Sequence, residues 1–215
     1  MFINKWGVEL QVSLISVDGL TFGYDGSYEN IFEDVSFKID TEWKIGLIGR
    51  NGKGKTTFLR LLQNEYEYRG KISKDVDFLY FPFKVKDKEK ISIEIVRDID
   101  PTVEDWEVIK ELSLIDGNVE SLYRSFDVLS SGEQVKILLV SLFLKKNNFL
   151  LIDEPTNQLD IKTRNSLIEY LKKKKGFILV SHDRKLLDSV VDNIISINNT
   201  NIQIRQGKCC GKSKI

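Results

Sequence analysis

The sequence predicts an α/β fold built on a mostly parallel sheet wrapped by helices, and three observations predict it. A short apolar strand, Lys44-Ile45-Gly46-Leu47-Ile48, runs into Gly49-Arg50-Asn51-Gly52-Lys53-Gly54-Lys55-Thr56 and then into a helical stripe of Phe58, Leu59, Leu61 and Leu62. Two unrelieved apolar runs, Phe149 to Ile152 and Phe177 to Val180, end in polar groups, as strands buried on both faces do. Segments with strand character alternate with segments of helical period.

Composition sets the outer bounds. The 215 residues suffice for one full core, as a single α/β domain or a main domain with a small lobe. Lys+Arg and Asp+Glu are both 32, so no net basic field argues for nucleic acid, and no direct DNA binding is expected. No apolar run approaches the length of a membrane span, and Met1 to Gly7 lacks the long apolar centre of a signal peptide; the expectation is a cytoplasmic protein without a span. Cys209 and Cys210 are adjacent and cannot build a disulfide framework.

Taken in order, residues 1–12 show no clear period and are expected to be an N-terminal extension. Ser13 to Val17 reads as the first strand. Leu20 to Tyr24 and Val35 to Ile39 read as half-buried antiparallel strands, with turn chemistry at Asp25-Gly26-Ser27. After the glycine-rich turn and its helix, Gly70 to Ser73 and Asp77 to Phe81 suggest two more strands, the second ended by Pro82. From about Ser92 the pattern turns helical: Trp106, Val108, Ile109 and Leu112 share helical spacing, and Asp116-Gly117-Asn118 separates them from a helix containing Val119 and Leu122. Together with the apolar helix opened by Ser130-Ser131-Gly132-Glu133-Gln134, this gives a helical lobe over about 92–145. Thr163 to Leu171 is amphipathic, and Lys172 to Lys175 read as a helix C-terminus rather than a nucleic-acid patch. Asn193 to Ile197 and Asn201 to Arg205 close as a hairpin, and 208–215 is a tail.

The chemistry gathers at the strand ends. Glycines at 49, 52 and 54 let successive N–H groups and a helix N-terminus point at one anion, Lys55 can reach β- and γ-phosphates, and Thr56 offers a hydroxyl to a bridging Mg²⁺. Asp153, at the end of a buried strand, is placed to hold that ion, and Glu154 beside it to deprotonate an attacking water. His182, the single histidine, also follows a buried strand and is expected to contact the γ-phosphate. Tyr24 is open between stacking on adenine and ordinary packing. Leu129 to Gln134 supplies a second anion-attracting helix start through Ser130 and Gly132. One nucleotide does not need two such starts far apart, so this one is expected to cover a nucleotide held by another copy or domain.

These motifs, in this order, resemble those of the ATP-binding cassette ATPase domain over about residues 13–207: an α/β nucleotide-binding fold with a mixed sheet, an antiparallel β subdomain and a small helical lobe. The resemblance implies ATP and Mg²⁺ as cofactors and ATP hydrolysis in a site completed by a second cassette. It makes Gly49 to Thr56 the Walker A motif, Leu129 to Gln134 the signature, Phe149 to Glu154 the Walker B strand with its glutamate, and Leu159-Asp160 the D-loop. It makes His182 the switch histidine and Tyr24 the adenine-stacking aromatic, and it adds Asn51, Thr57 and Asp160 to the residues expected around the nucleotide.

Glu154-Pro155-Thr156-Asn157-Gln158-Leu159-Asp160 and the Gly-Glu-Gln ending of the signature are similar to the ABC-F group, soluble cassettes that act on ribosomes. Phe22 to Tyr28 and Ile31 to Phe37 resemble the first cassette of its antibiotic-resistance branch, of the Lsa and Vga type. Two departures stand out. Phe83 occupies the place of the family's usual glutamine, and the chain stops near Gly207 where that group continues into a helical linker and a second cassette, which suggests a truncated gene or an isolated first cassette. The alternatives are the ATPase subunit of a membrane transporter, which the missing glutamine disfavours because that loop couples the family to membrane domains, and a remnant that still binds nucleotide.

Overall fold

The computed structural model describes residues 13–50, 52–157 and 159–207; the expected extension at 1–12, the tail at 208–215 and the loop residue Asn51 lie outside the described residues. The chain begins with β1 (Leu14–Phe22), flanked antiparallel by β2 (Phe32–Asp40) and β4 (Arg69–Ser73). Sequence reasoning separates Ser13 to Val17 from Leu20 to Tyr24, but the structure joins them into one strand. Gly19 takes φ of 61° and the register slips between Val17 and Leu20, a bulge that keeps Ile15, Val17, Leu20 and Phe22 all buried. The Gly19 N–H is kept in use by donating to Ser36 Oγ at 2.8 Å.

The second sheet contains β3 (Lys44–Gly49), β5 (Asp77–Phe81), β6 (Asn148–Asp153), β7 (Phe177–Val180), β8 (Asn193–Asn198) and β9 (Asn201–Gln206), in the order β5-β6-β7-β3-β8-β9. Neighbours are parallel except for the β8–β9 hairpin, which turns through Asn199 at φ of 53°. The fold is therefore α/β with one mixed and one antiparallel sheet, as the sequence predicts. The C-terminal ends of β3, β6 and β7 are neighbours, so loops from distant parts of the sequence meet there.

Alternation along the buried strands divides the core in two. Phe149 and Leu151 on β6, Ile178 and Val180 on β7 and Ile45 and Leu47 on β3 pack with the antiparallel sheet and with Phe58, Leu59, Leu61 and Leu62 of α1 (Lys55–Leu62). Leu150, Ile152, Phe177 and Leu179 face the other way, against α4 (Ser131–Leu144), α5 (Ile161–Lys172) and α6 (Arg184–Val190). This is the period of two of a strand buried on both faces.

The helical segment differs in detail from its expected form. It contains α2 (Ser92–Ile99) and α3 (Asp105–Leu114), but Val119–Tyr123 is a single 3-10 turn rather than a helix. Asn118 accepts from the Glu120 N–H at 3.0 Å, and by Arg124 the chain is extended again, its carbonyl accepting from the Ser92 N–H at 3.0 Å. Helix α6 is absent from the sequence reading, although its cap is visible there: Asp183 accepts from the N–H groups of Lys185 and Leu186, ahead of Leu186, Leu187 and Val190. The lysine run carries two ion pairs, Lys174 to Glu111 of α3 and Lys175 to Glu42 in the turn after β2. Glu111 also accepts from Tyr170 at 2.7 Å, and burial keeps that hydroxyl well above its ordinary titration range and so a donor.

Ile178 is fully buried between β6 and β3. Ile178→Ala is expected to cost about 2–5 kcal/mol of unfolding free energy in a urea titration. A loss below about 1 kcal/mol would show that this core relaxes around the cavity.

Candidate functional site

The site is built where α1 lies on the Leu151 face of β6. Because alternate strand residues share a face, Asp153 emerges on the same side as Leu151, directly under the first turn of α1. Thr56 Oγ1 donates to Asp153 Oδ2 at 3.2 Å across 97 positions of sequence. The Tyr80 hydroxyl, from β5, donates to the same oxygen at 2.9 Å. Burial and the nearby Asp153 carboxylate raise the Tyr80 hydroxyl far above its ordinary range, so it stays protonated. Sequence reasoning does not find Tyr80. Its signal is registral: β5 and β6 pair Tyr80 with Leu151, which puts the ring one pleat behind Asp153 on the same face.

The turn before α1 has the expected form. Gly54 caps the helix at φ of 95°, and a Cβ there would lie 2.6 Å from Ile31 Cγ2, so both conformation and space demand glycine. Gly49 ends β3, and Gly52 lies in the turn at φ of 75° with open space around it. Lys55 Nζ donates to the carbonyls of Gly49 at 3.0 Å and Arg50 at 3.4 Å, which holds its ammonium at the mouth of the turn. Thr57 is buried and its Oγ1 shares a 2.8 Å hydrogen bond with the Tyr24 hydroxyl. Tyr24 is 44% exposed, and its ring stands edge-on to Phe22 and Tyr66. The structure thus gives it a packing partner and an open face together.

Past Asp153 the backbone leaves the strand abruptly. Glu154 adopts φ of 49°, a left-handed conformation that costs roughly 1–2 kcal/mol for a residue with a Cβ. Its N–H continues the ladder to Val180 O at 2.9 Å. The turn brings its carboxylate to His182: the His182 N–H donates to Oε2 at 3.3 Å, and Nε2 lies 3.4 Å from Oε1. That second contact is within ion-pair range but is not aligned as a hydrogen bond, so Oε1 is a buried oxygen with no donor.

Tyr24, Gly52, Gly54, Lys55, Thr56, Thr57, Asp153, Glu154 and His182 line one cavity of about 380 Å³. Its contents fit a phosphate with a hard cation. The glycine turn leaves room for an anion, Lys55 brings positive charge, and Thr56 and Asp153 offer two oxygens on one spot. Among the described residues no cluster of three or more His, Cys, Asp or Glu could hold a metal by itself. A divalent ion here would need phosphate oxygens to complete its shell, which is the binding mode of Mg²⁺ with a nucleotide.

Three predicted residues lie apart from that cavity. Ser130 caps α4 in a reciprocal box: its Oγ accepts from the Glu133 N–H at 3.3 Å, while Glu133 Oε2 accepts from the Ser130 N–H at 2.9 Å and hydroxyl at 2.7 Å. Gly132 lies against α5, where a Cβ would meet Thr163 Cγ2 at 3.1 Å. Asp160 caps α5 through Thr163, and the Thr163 N–H and hydroxyl hold its carboxyl below the usual carboxylate range. The starts of α4 and α5 therefore approach each other at Gly132 and Thr163. Phe83 lies in a different hollow, with Val85 and Ile95.

Comparison with known proteins agrees with this geometry. The family model described as ABC transporter matches residues 32–157. The chain is similar to ABC transporter F family member 2 of Arabidopsis thaliana, 28% identical over 195 residues that cover 87% of this chain and 28% of that protein. It is also similar to the erythromycin resistance ATP-binding protein MsrA of Staphylococcus epidermidis, 34% identical over 168 residues that cover 76% of this chain and 34% of that protein. A solved structure of the ATP binding subunit of an ABC transporter superposes with a TM-score of 0.75 at 26% identity, covering 90% of each chain. The chain spans 28%, 32% and 45% of three of the curated relatives it matches, well under their full length.

The Ser130 box has a pH signature. The Ser130 hydroxyl and N–H hold the Glu133 carboxyl below its ordinary 4.5, so its contribution is complete above that value and is lost as pH falls through the lower folded value. Ser130→Ala is expected to cost about 0.5–2 kcal/mol at neutral pH. The deficit relative to wild type should shrink as the medium is acidified below that range, as read from urea midpoints at a series of pH values; a deficit constant with pH would show that the box does not depend on the ionised Glu133.

Proposed function

We propose, starting from the fact that this chain belongs to the ABC transporter family of ATP-binding domains, that it binds MgATP and hydrolyses it when a second cassette closes over the site. The observation that carries the reading is the convergence of Lys55, Thr56, Asp153 and Glu154 on one cavity, with the Thr56 hydroxyl and the Asp153 carboxylate in contact. An ammonium for phosphate, two oxygens for a hard cation and a carboxylate beside them are the groups that nucleotide hydrolysis needs.

Each residue then has a task its position supports. Lys55 exchanges its Gly49 and Arg50 carbonyl acceptors for β- and γ-phosphate oxygens, and the N–H groups at the start of α1 take up the remaining negative charge. Thr56 and Asp153 would hold Mg²⁺, which neutralises charge on the phosphates during transfer. Glu154 would accept the proton of the attacking water through its carboxylate, which the His182 N–H steadies, and His182, in the same cavity lining, would face the γ-phosphate. Tyr24 presents its exposed ring to adenine, with its hydroxyl anchored on Thr57.

Ser130 and Gly132 do not line this cavity, which supports their acting on a nucleotide held elsewhere, with Asp160 packed beside them at the α4–α5 corner. In this reading a cassette of residues 13–207, with its helical lobe at about 92–145, works against a second cassette in the same or another chain. The relatives of the F type and the erythromycin-resistance relative support a cassette of that group with a role in drug resistance, and the sequence resemblance to the ABC-F group extends the reading to a cytoplasmic, ribosome-associated protein. The structural likeness to a transporter's ATP binding subunit favours the second reading, a partner that spans a membrane. No helix among the described residues is long and apolar enough to cross a membrane itself.

Glu154→Gln is expected to keep ATP affinity within about twofold and to slow hydrolysis by a hundredfold or more, because the phosphate cradle survives and the proton acceptor does not. Equal turnover in variant and wild type would remove Glu154 from the chemistry. Lys55→Ala should instead weaken nucleotide binding itself, measured by titration calorimetry. The same Glu154→Gln chain should sediment with ribosomes in MgATP and separate from them without nucleotide; sedimentation with membranes instead would select the transporter reading.

Activity per chain should fall as the protein is diluted, since encounter of two cassettes is second order. Specific activity that stays constant below any measurable dimerisation constant would show that one chain closes its own site.

A further inference from the structure

The carboxylate of Asp153 is held from two sides. Thr56 reaches Oδ2 from α1, and Tyr80 reaches the same oxygen from β5, the edge strand of the mixed sheet. These two elements approach β6 independently, so together they anchor that oxygen from two directions. Only one of the two donors is free of other duties. In the proposed reading Thr56 gives its oxygen to the cation, and its hydroxyl can no longer be relied on to orient Asp153. Tyr80 has no place in the cavity lining and keeps its hydrogen bond.

The geometry points to Tyr80 as the positioning residue for metal recognition: its hydroxyl presets Asp153 so that the carboxylate meets a nucleotide-bound divalent cation without reorganising. This rests on the MgATP reading above. The ring is half-buried, backed by the face of the sheet that packs on α1, so its hydroxyl has little freedom to turn away. A donor held behind a metal-binding carboxylate sets its orientation, and loss of such outer partners typically costs about 10–100-fold in metal affinity.

The test is the cation dependence of nucleotide binding, with a fluorescent ATP analogue as the probe and Mn²⁺ or Mg²⁺ as the titrant. Tyr80→Phe removes one oxygen and keeps the ring. Its affinity for the analogue without divalent ion is expected to match wild type within about twofold, while the cation concentration for half-maximal enhancement rises about tenfold. In an Asp153→Ala background, Tyr80→Phe should add nothing to the cation requirement, because the group it positions is gone. A purely structural role would lower the melting temperature without a cation-specific shift, or would add to the Asp153→Ala effect; either result overturns the inference. So does a Tyr80→Phe chain that fails to melt cooperatively, since that places the hydroxyl in folding. If wild type binds the analogue but shows no cation dependence, the inference falls and nucleotide binding stands; if wild type does not bind it at all, both fall together.

Discussion

The packing of α1 against the Leu151 face of β6 is the constraint on which the rest of the site depends. Phe58, Leu59, Leu61 and Leu62 are all fully buried there, so the helix can neither roll nor slide without exposing several large side chains, each worth roughly 1.5–3 kcal/mol. Its first turn is thereby held above the end of β6, and Thr56 and Asp153 meet although 97 positions separate them. Gly54 completes the constraint, because no side chain fits between the turn and Ile31. The apolar core does the aiming, and the polar contact is its consequence.

The same two-faced sheet separates the two anion-attracting regions. α1 starts from the face shared with the antiparallel sheet, while α4 and α5 pack on the opposite face. Ser130 and Gly132 lie outside the cavity that Lys55 lines, and in the proposed reading they would serve a nucleotide other than the one Lys55 would hold. Their immediate surroundings are ordered by local caps: Ser130 with Glu133, and Asp160 with Thr163. Gly132 lies against Thr163, so the two caps are neighbours.

Much of this was legible in the sequence because it is written in local patterns. The phosphate turn, the β6 run ending in Asp153 and Glu154, and the capped start of α4 each lie within one stretch, and each obeys a single period or cap rule. The parts that escaped depend on pairing between stretches. Gly19 looks like a break until β2 and β4 flank it on both sides and turn it into a bulge. Val119 to Tyr123 has helical spacing, but Asn118 and the return to Ser92 shorten it to one turn. Tyr80 acquires its contact with Asp153 only when β5 takes its register beside β6, and no pattern within Asp77 to Phe81 contains that information.

The exchange of polar character between Tyr80 and Phe83 follows from that register. At the position where the resemblance places a glutamine, Phe83 is 37% exposed and lines a separate hollow with Val85 and Ile95. The hydroxyl that reaches Asp153 comes instead from within the strand, three residues earlier, on a ring that the sheet holds in place. A donor carried by a loop can arrive and leave as the loop moves. A strand paired from Asp77 with Asn148 to Phe81 with Ile152 keeps the Cα of its tyrosine at a fixed place beside β6. The contact to Asp153 is thus carried by the sheet rather than by the segment that leads into the helical lobe.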